Sequence, residues 1–99
     1  MPILQSDILL ITGGTGSFGN AVLERFLKTD LFQEIRIFSR DEKKQDDMRQ
    51  FYKDGRIKYY IGDTRDKRSI DMAMRGVDYV FQAAALKQVP SASFFRWKL

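Results

Sequence analysis

The stretch LLITGGTGSFGNAV (residues 9–22) places four glycines within seven consecutive positions, directly after an apolar run. Residues 8–11 are wholly apolar, which is typical of a strand that is covered on both faces. After the glycines, apolar side chains recur at helical spacing. The glycines therefore lie between a strand and a helix, and they fit the pattern T-G-x-x-G-x-x-G through Gly13, Gly16 and Gly19.

A turn of this kind lets backbone N–H groups approach a phosphate closely, because glycine has no Cβ. The helix behind it offers unpaired N–H donors and about half a positive charge to a pyrophosphate. Gly19, one turn into the helix, allows close contact between helix and strand. A glycine-rich hairpin is the competing explanation, but the flanking strand and amphipathic helix favour dinucleotide binding.

Segments of two different periods alternate along the rest of the chain. Apolar or alternating runs predict strands at residues 8–11, 34–39, 56–61 and 77–85, and amphipathic runs predict helices at residues 17–28, 40–52 and 65–76. This β-α-β-α-β-α-β order predicts an α/β fold, a Rossmann-like doubly wound parallel sheet of which only the N-terminal half is present.

Two details of the helices follow from the same spacing. Met48, Phe51 and Tyr52 are expected to form the inner face of the second helix. Gly76 follows the third helix, where a residue of left-handed conformation is favoured.

Composition excludes several classes of site. The 99 residues contain no Cys and no His, so a thiolate or imidazole metal site is ruled out and no metal is expected. No apolar run approaches the ~20 residues of a membrane span, and the chain start lacks the basic residues of a signal peptide, so we expect no membrane partner and a cytoplasmic location. The net charge of +4 is spread among acidic residues, which disfavours nucleic-acid binding.

The end of the second predicted strand indicates which dinucleotide binds. An acidic residue there would bind the ribose hydroxyls of NAD, whereas this chain has Ser39 and Arg40, a hydroxyl donor and a guanidinium suited to phosphate. Asp41 and Glu42 follow and also suit the first turn of a helix. NADP is therefore the predicted cofactor, although Arg40 could also be an ordinary surface cation.

Two further candidates lie after the third and fourth predicted strands. Asp63 could accept a hydrogen bond from the adenine amino group, or it could cap the helix that begins near Asp66. After the fourth strand, small side chains would let a cofactor lie against the backbone, and Lys87 then projects from a loop that ends at Pro90. Lys87 is either a contact to nucleotide or substrate or a solvated surface lysine.

The segments ITGGTGSFGN, FSRDEKKQDDMR, GDTRD and, most specifically, AAALKQVP together resemble the N-terminal part of the UDP-N-acetylglucosamine 4,6-dehydratases. These are extended short-chain dehydrogenases/reductases of polysaccharide biosynthesis, and the resemblance covers residues 8–91. It implies that the cofactor pyrophosphate is contacted by Gly16, Ser17, Phe18 and Gly19, and the adenosine phosphate by Ser39, Arg40, Asp41, Glu42, Lys43 and Lys44. It further implies that Asp63 and Thr64 contact the adenine and that Ala83 lies by the ribose. Lys87 would contact both the cofactor and the sugar nucleotide. Gln82 stands where the family often has His.

The resemblance also implies a reaction. NADP⁺ takes hydride from C4 of UDP-N-acetylglucosamine, water leaves across C5 and C6, and the hydride returns to C6 to give a 4-keto-6-deoxy sugar. The family's catalytic groups, an Asp-Lys pair and a Tyr-x-x-x-Lys motif, lie downstream of Lys87. This chain has no such motif, so no catalytic residue is expected in it. There are two alternatives to a dehydratase. One is another NADP-dependent member of the extended family, such as an epimerase, and the other is a non-catalytic NADP-binding module.

The last eight residues, ASFFRWKL, depart from the family, whose members continue roughly as C-E-F-x-P-M-E-A-V-K. One DNA sequence that could encode C-E-F-F-P-M-E-A-V, read on after the loss of its first base, encodes A-S-F-F-R-W-K-L followed by a stop codon. We therefore expect residues 1–91 to form the NADP-binding portion and residues 92–99 to be an out-of-frame tail. Without a fifth parallel strand, the fourth is expected to be an exposed apolar edge, which would make the fragment prone to aggregate; the whole enzyme is expected to be a homo-oligomer.

Overall fold

The computed structural model describes residues 7–13, 15–83 and 93–97. Within them the chain forms strands and helices in strict alternation until a final strand. In chain order these are β1 (Ile8–Thr12), α1 (Ser17–Leu27), β2 (Glu34–Ser39), α2 (Glu42–Phe51), β3 (Ile57–Ile61), α3 (Lys67–Met74), β4 (Tyr79–Gln82) and β5 (Ser93–Arg96).

The strands form one sheet in the order β3-β2-β1-β4-β5, and the first four are parallel. Leu9 of β1 is paired with Ile35 of β2 on one side and with Tyr79 of β4 on the other. The predicted α/β doubly wound sheet is therefore confirmed. Its consequence for function is that the carboxyl ends of β1 to β4 meet at one edge, where open α/β sheets bind ligands.

The core has two layers because successive side chains of β1 point to opposite faces of the sheet. Leu9 and Ile11 belong to the cluster that also contains Leu23 of α1 and Met48 of α2. Leu10 belongs to the opposite cluster, with residues of α3. Leu9, Leu10 and Ile11 are fully buried, so the prediction that this strand is covered on both faces is confirmed.

A buried arginine fastens α3 to the sheet. Arg36 of β2 is 8% exposed, and its Nη1 donates to the carbonyl oxygens of Ala73 (2.8 Å) and Arg75 (2.6 Å) at the end of α3. Its Nε pairs with Glu34 at 2.5 Å. Gly76 follows with φ +76°, which confirms the left-handed residue predicted there.

The predicted inner face of α2 was wrong at one position. Met48 is buried and Tyr52 packs against the core, but Phe51 is 74% exposed and forms a T-shaped ring pair with Tyr52 at 4.8 Å between centroids. The buried face instead includes Gln45, one turn before Met48. A glutamine can take this position because its amide finds hydrogen-bond partners on β2 and β3.

The prediction that β4 would be an exposed edge was also wrong. β5 pairs with β4 in antiparallel orientation over four residue pairs, from Tyr79–Arg96 to Gln82–Ser93. The tail is rich in aromatic residues, which favour strands, and the open edge of β4 supplies unpaired backbone groups that such a segment can satisfy. The edge of the sheet therefore lies at β5. Over the described part of the chain, no helix is long and apolar enough to cross a membrane.

Candidate nucleotide-binding cleft

The glycine-rich turn leaves β1 through a left-handed residue. Gly13 has φ +68°, a conformation that favours glycine, and its N–H donates to the carbonyl of Phe38 on β2 at 3.0 Å. The N–H of Gly16 donates to the Gly13 carbonyl at 3.3 Å and closes the turn. The loop therefore begins as a continuation of the sheet and then reverses tightly into α1.

Asn20 holds the same loop from the side of the helix. Its Nδ2 donates to the carbonyls of Thr15 (3.2 Å) and Gly16 (3.0 Å), and its Oδ1 accepts from the Tyr52 hydroxyl at 3.1 Å. The Tyr52 hydroxyl also lies 3.0 Å from Glu24 Oε1, and burial followed by this hydrogen bond raises the pKa of Tyr52 to about 12. Asn20 of α1 thus fixes the loop carbonyls and is itself held by Tyr52, the residue that follows α2.

The helices differ at their N-termini. α2 and α3 are each capped by an aspartate, Asp41 accepting from the N–H of Lys44 and Asp66 from that of Arg68. α1 begins at Ser17, its N-cap residue Gly16 supplies no side-chain cap, and its first turn has no acidic residue. Its first N–H groups are therefore left without the side-chain acceptors that the other two helices supply, in the place where an anion would be stabilised.

The predicted residues of the first turn of α1 occupy different environments. Gly19 is buried against the core, Ser17 is exposed, and Phe18 is 48% exposed with its ring stacked on Phe81 at 6.0 Å between centroids. Phe18 therefore borders the space above the carboxyl end of β4.

A cleft of about 340 Å³ opens at the carboxyl ends of β1, β2 and β3. This size falls within the range of small-ligand sites. Its walls combine the glycine turn with the ends of the next two strands, and the lining residues are Thr12, Gly13, Phe38, Ser39, Arg40, Gly62, Asp63, Thr64 and Arg65. A more open depression adjoins it, lined by Thr15, Ser39, Arg40, Asp41 and Glu42.

Ser39 and Arg40 line both openings and contrast in burial. Ser39 is 9% exposed, whereas the side chain of Arg40 is 71% exposed and lies 3.6 Å from Asp63. An exposed ion pair of this length is weak, so the guanidinium is available to another anion. Lys43 and Lys44 are exposed on α2 and do not line either opening.

Asp63 lines the cleft and is paired with Arg65. Its carboxylate accepts from Arg65 Nη2 at 2.9 Å and from the Arg65 backbone N–H at 2.9 Å. These hydrogen bonds, together with the nearby Arg40 charge, lower the pKa of Asp63 to about 2. Because Asp66 caps α3, the prediction that Asp63 might cap this helix was wrong, and its carboxylate faces the cleft instead.

Two other predicted cofactor contacts lie at or beyond the end of a described segment. Ala83 is 8% exposed, and its N–H donates to the Thr12 carbonyl at 2.9 Å, so it lies beside the start of the glycine turn. Lys87 lies outside the described residues. Within the parts of the chain that the structure describes, no group of three or more acidic residues could hold a metal ion.

Several residues of the site stood in the motifs quoted from the sequence but were given no role there. Thr12 and Phe38 lie near the ends of β1 and β2, Arg65 follows β3, and all three line the cleft because the carboxyl ends of these strands meet there. Gly62 could have been noticed as a glycine directly after a strand. A Cβ at this position would lie 2.7 Å from both Cβ and Oγ of Ser69, so the absent side chain lets α3 approach the cleft floor.

Comparison with known proteins assigns the chain to a family. Residues 9–99 match the polysaccharide biosynthesis protein family, and the chain belongs to it. Proteins named UDP-glucose 4-epimerase are similar over 90 residues, at 68% identity in Rickettsia akari and 66% in Rickettsia prowazekii. These alignments cover 88% of this chain but only 26% of each relative, so the chain spans about a quarter of their length.

Solved structures agree with the fold. The X-ray structure of Pen from Bacillus thuringiensis is 36% identical with a TM-score of 0.77, over 89% of this chain and 26% of Pen. A short-chain dehydrogenase/reductase from Saccharomyces cerevisiae superposes with a TM-score of 0.64 at 20% identity, over 84% of this chain and 35% of that protein. The chain therefore has the Rossmann-like fold of the short-chain dehydrogenases/reductases.

Proposed function

We propose that this chain is the NADP-binding portion of a UDP-N-acetylglucosamine 4,6-dehydratase of polysaccharide biosynthesis. The observation that carries the cofactor assignment is the end of β2, where Ser39 and Arg40 line the cleft beside the glycine turn. Both residues can donate hydrogen bonds to a phosphate, and an acidic residue that would repel a 2′-phosphate is absent from these two positions.

The residues present fit an adenine dinucleotide. The uncapped start of α1, around Gly16, Ser17, Phe18 and Gly19, would hold the pyrophosphate through backbone N–H groups. Asp63 and Thr64 line the cleft on the side where the adenine would lie, and the ionised carboxylate of Asp63 can accept from an amino group. When bound, NADP⁺ supplies a hydride acceptor.

The other predicted contacts lie around this cleft. Ala83 would adjoin the ribose, and Lys87 would contact both the cofactor and UDP-N-acetylglucosamine. Asp41 and Glu42 line the open depression beside Arg40, while Lys43 and Lys44 on the exposed surface of α2 would contribute through charge alone.

A substitution at Arg40 tests the cofactor assignment. Arg40→Met removes the guanidinium proposed to bind the 2′-phosphate, so it should weaken NADP⁺ binding about tenfold and leave NAD⁺ binding unchanged, as measured by titration calorimetry. Arg68→Met is the matched control, because Arg68 is exposed on α3 and does not line the cleft. Equal losses for NADP⁺ and NAD⁺ on Arg40→Met would refute the role of this residue.

A UDP-glucose 4-epimerase is the second candidate, since the Rickettsia relatives carry that name at 63–69% identity. The two activities share a nucleotide-sugar substrate and a nicotinamide cofactor. They differ in the product, because a dehydratase releases water and an epimerase gives an isomer of the same mass.

We further propose that residues 92–99 are out of frame. Sequencing the encoding DNA past residue 91 tests this, because one restored base should open a frame that continues through Pro-Met-Glu-Ala to a Tyr-x-x-x-Lys motif. The chain encoded by that frame can then be incubated with UDP-N-acetylglucosamine or UDP-glucose and the products weighed by mass spectrometry. A product lighter by one water supports the dehydratase, an isomer supports the epimerase, and neither product would refute both.

A further inference from the structure

A buried amide lies directly behind the cleft. Gln45 of α2 is 1% exposed, and its Nε2 lies 3.0 Å from Ser39 Oγ and 2.9 Å from the carbonyl oxygen of Tyr60. The same nitrogen lies 3.5 Å from the Ser39 carbonyl oxygen. Gln45 itself does not line the cleft; it reaches the cleft only through Ser39.

The orientation of this amide is settled by its partners. The Tyr60 carbonyl can only accept a hydrogen bond, so the nitrogen of the Gln45 side chain must face it. The second N–H of the same nitrogen then points to Ser39 Oγ, which therefore acts as the acceptor in that contact. The hydroxyl hydrogen of Ser39 is left to donate elsewhere, and Ser39 borders both openings of the site.

The oxygen of the Gln45 amide shows that this side chain is retained for its donors. Gln45 Oε1 is buried and has no hydrogen-bond partner among the described residues. An unpaired buried carbonyl costs stability, and an apolar side chain of similar length would avoid that cost. What a glutamine adds here is the pair of donors that fixes Ser39 and Tyr60.

We propose that Gln45 is a positioning residue that determines cofactor specificity by holding Ser39 as a hydrogen-bond donor toward the 2′-phosphate of the cofactor. This inference rests on the proposed NADP-binding function. Held in this way, Ser39 has its hydroxyl hydrogen free to donate, and an ionised 2′-phosphate offers several charged acceptors for it, whereas a ribose 2′-hydroxyl offers one uncharged acceptor. The end of β2 then presents Ser39 and Arg40 as neighbouring donors.

The test compares two adenosine nucleotides on the complete 99-residue chain. Binding of 2′,5′-ADP, which carries the 2′-phosphate, and of 5′-AMP, which lacks it, is measured by titration calorimetry for the wild type, Gln45→Met, Ser39→Ala and the double variant. Gln45→Met should reduce the preference for 2′,5′-ADP about tenfold through weaker 2′,5′-ADP binding, with 5′-AMP binding unchanged. In the Ser39→Ala background, Gln45→Met should cause no further loss of preference.

The outcomes separate the two proposals. If the wild type prefers 2′,5′-ADP and Gln45→Met keeps that preference, or weakens both nucleotides equally, the role of Gln45 is overturned while NADP binding stands. If the wild type binds the two nucleotides equally or binds neither, NADP binding itself is overturned, and the inference with it.

A second variant covers the case in which Gln45→Met does not fold. Gln45→Asn keeps a polar amide but withdraws it by one methylene group from Ser39 Oγ. It should lower the preference for 2′,5′-ADP in the same direction, and an undiminished preference in this folded variant would also overturn the inference.

Discussion

Gly62→Ala is the most direct test of the packing that shapes the cleft. A Cβ at this position would lie 2.7 Å from Cβ and Oγ of Ser69 and 2.9 Å from Cε2 of Phe38. Real Cβ contacts are longer than this, so Ser69 at the start of α3 or the Phe38 ring must shift. Ser69 Oγ also donates to the Asp63 carbonyl at 3.1 Å, and a shift would weaken that contact.

Overpacking of this kind costs about 1–3 kcal/mol. With a cost of about 2 kcal/mol, the melting temperature of a domain of this size should fall by roughly 8–16 °C. Thermal unfolding followed by circular dichroism measures the change. Because Gly62 lines the cleft, the variant should also bind NADP⁺ more weakly.

Gly55→Ala is the matched control, since nothing lies within 4 Å of a Cβ built at Gly55. Both glycines flank β3, one before it and one after it. Gly55→Ala should leave the melting temperature unchanged or raise it slightly, because it reduces the entropy of the unfolded chain. A Gly62→Ala protein that melts within about 2 °C of the Gly55→Ala protein would refute the packing argument.

Three other predictions concern the connections between elements. Arg36→Met should lower the free energy of unfolding in urea by about 3 kcal/mol, because it leaves two carbonyls at the end of α3 unpaired. The control Arg68→Met, at an exposed position, should change the free energy of unfolding by less than about 0.5 kcal/mol. A loss below about 1 kcal/mol for Arg36→Met would contradict the role of this side chain. Asn20→Ala should speed hydrogen exchange of the Gly16 amide about tenfold, because the glycine-rich loop loses its two hydrogen bonds to the Asn20 side chain of α1. An unchanged exchange rate would show that Asn20 does not hold this loop. The pKa of Tyr52 is raised to about 12 in the fold, so folding favours the neutral phenol; the contribution of Tyr52 to stability is complete below pH ~10 and is lost as the pH rises through about 12. In urea titrations at alkaline pH, the free energy of unfolding of Tyr52→Phe should therefore fall less over that range than that of the wild type. An identical fall in both proteins would contradict the raised pKa of Tyr52.

The order of elements could be predicted from the sequence because each strand and helix has its own period. The all-apolar start of β1 predicted a strand covered on both faces, and Leu9, Leu10 and Ile11 are fully buried. Gly76 could be placed because a left-handed residue after a helix depends on local chemistry alone.

The features that could not be predicted depend on contacts between segments distant in the sequence. The burial of Gln45 and the exposure of Phe51 depend on which acceptors β2 and β3 place beneath α2. The pairing of β5 with β4 depends on an open strand edge, and antiparallel addition is not encoded by the period of either segment. The small space at Gly62 is set by the approach of Ser69, which lies on a different element.

The candidate site shows the same division. The residues after each strand could be assigned to the site because parallel strands end at one edge of the sheet. Their partners could not, since the pairing of Asp63 with Arg65 and the hydrogen bond between Gln45 and Ser39 require the geometry of the turns and helices.

We expect this chain to bind NADP through the glycine turn and the end of β2. The most direct test is titration calorimetry of the 99-residue chain with NADP⁺ and with NAD⁺ under the same conditions. We expect NADP⁺ to bind at least about tenfold more tightly, because the 2′-phosphate gains hydrogen bonds from Ser39 and Arg40. NAD⁺ binding as tightly as NADP⁺, or no binding of either, would contradict the account.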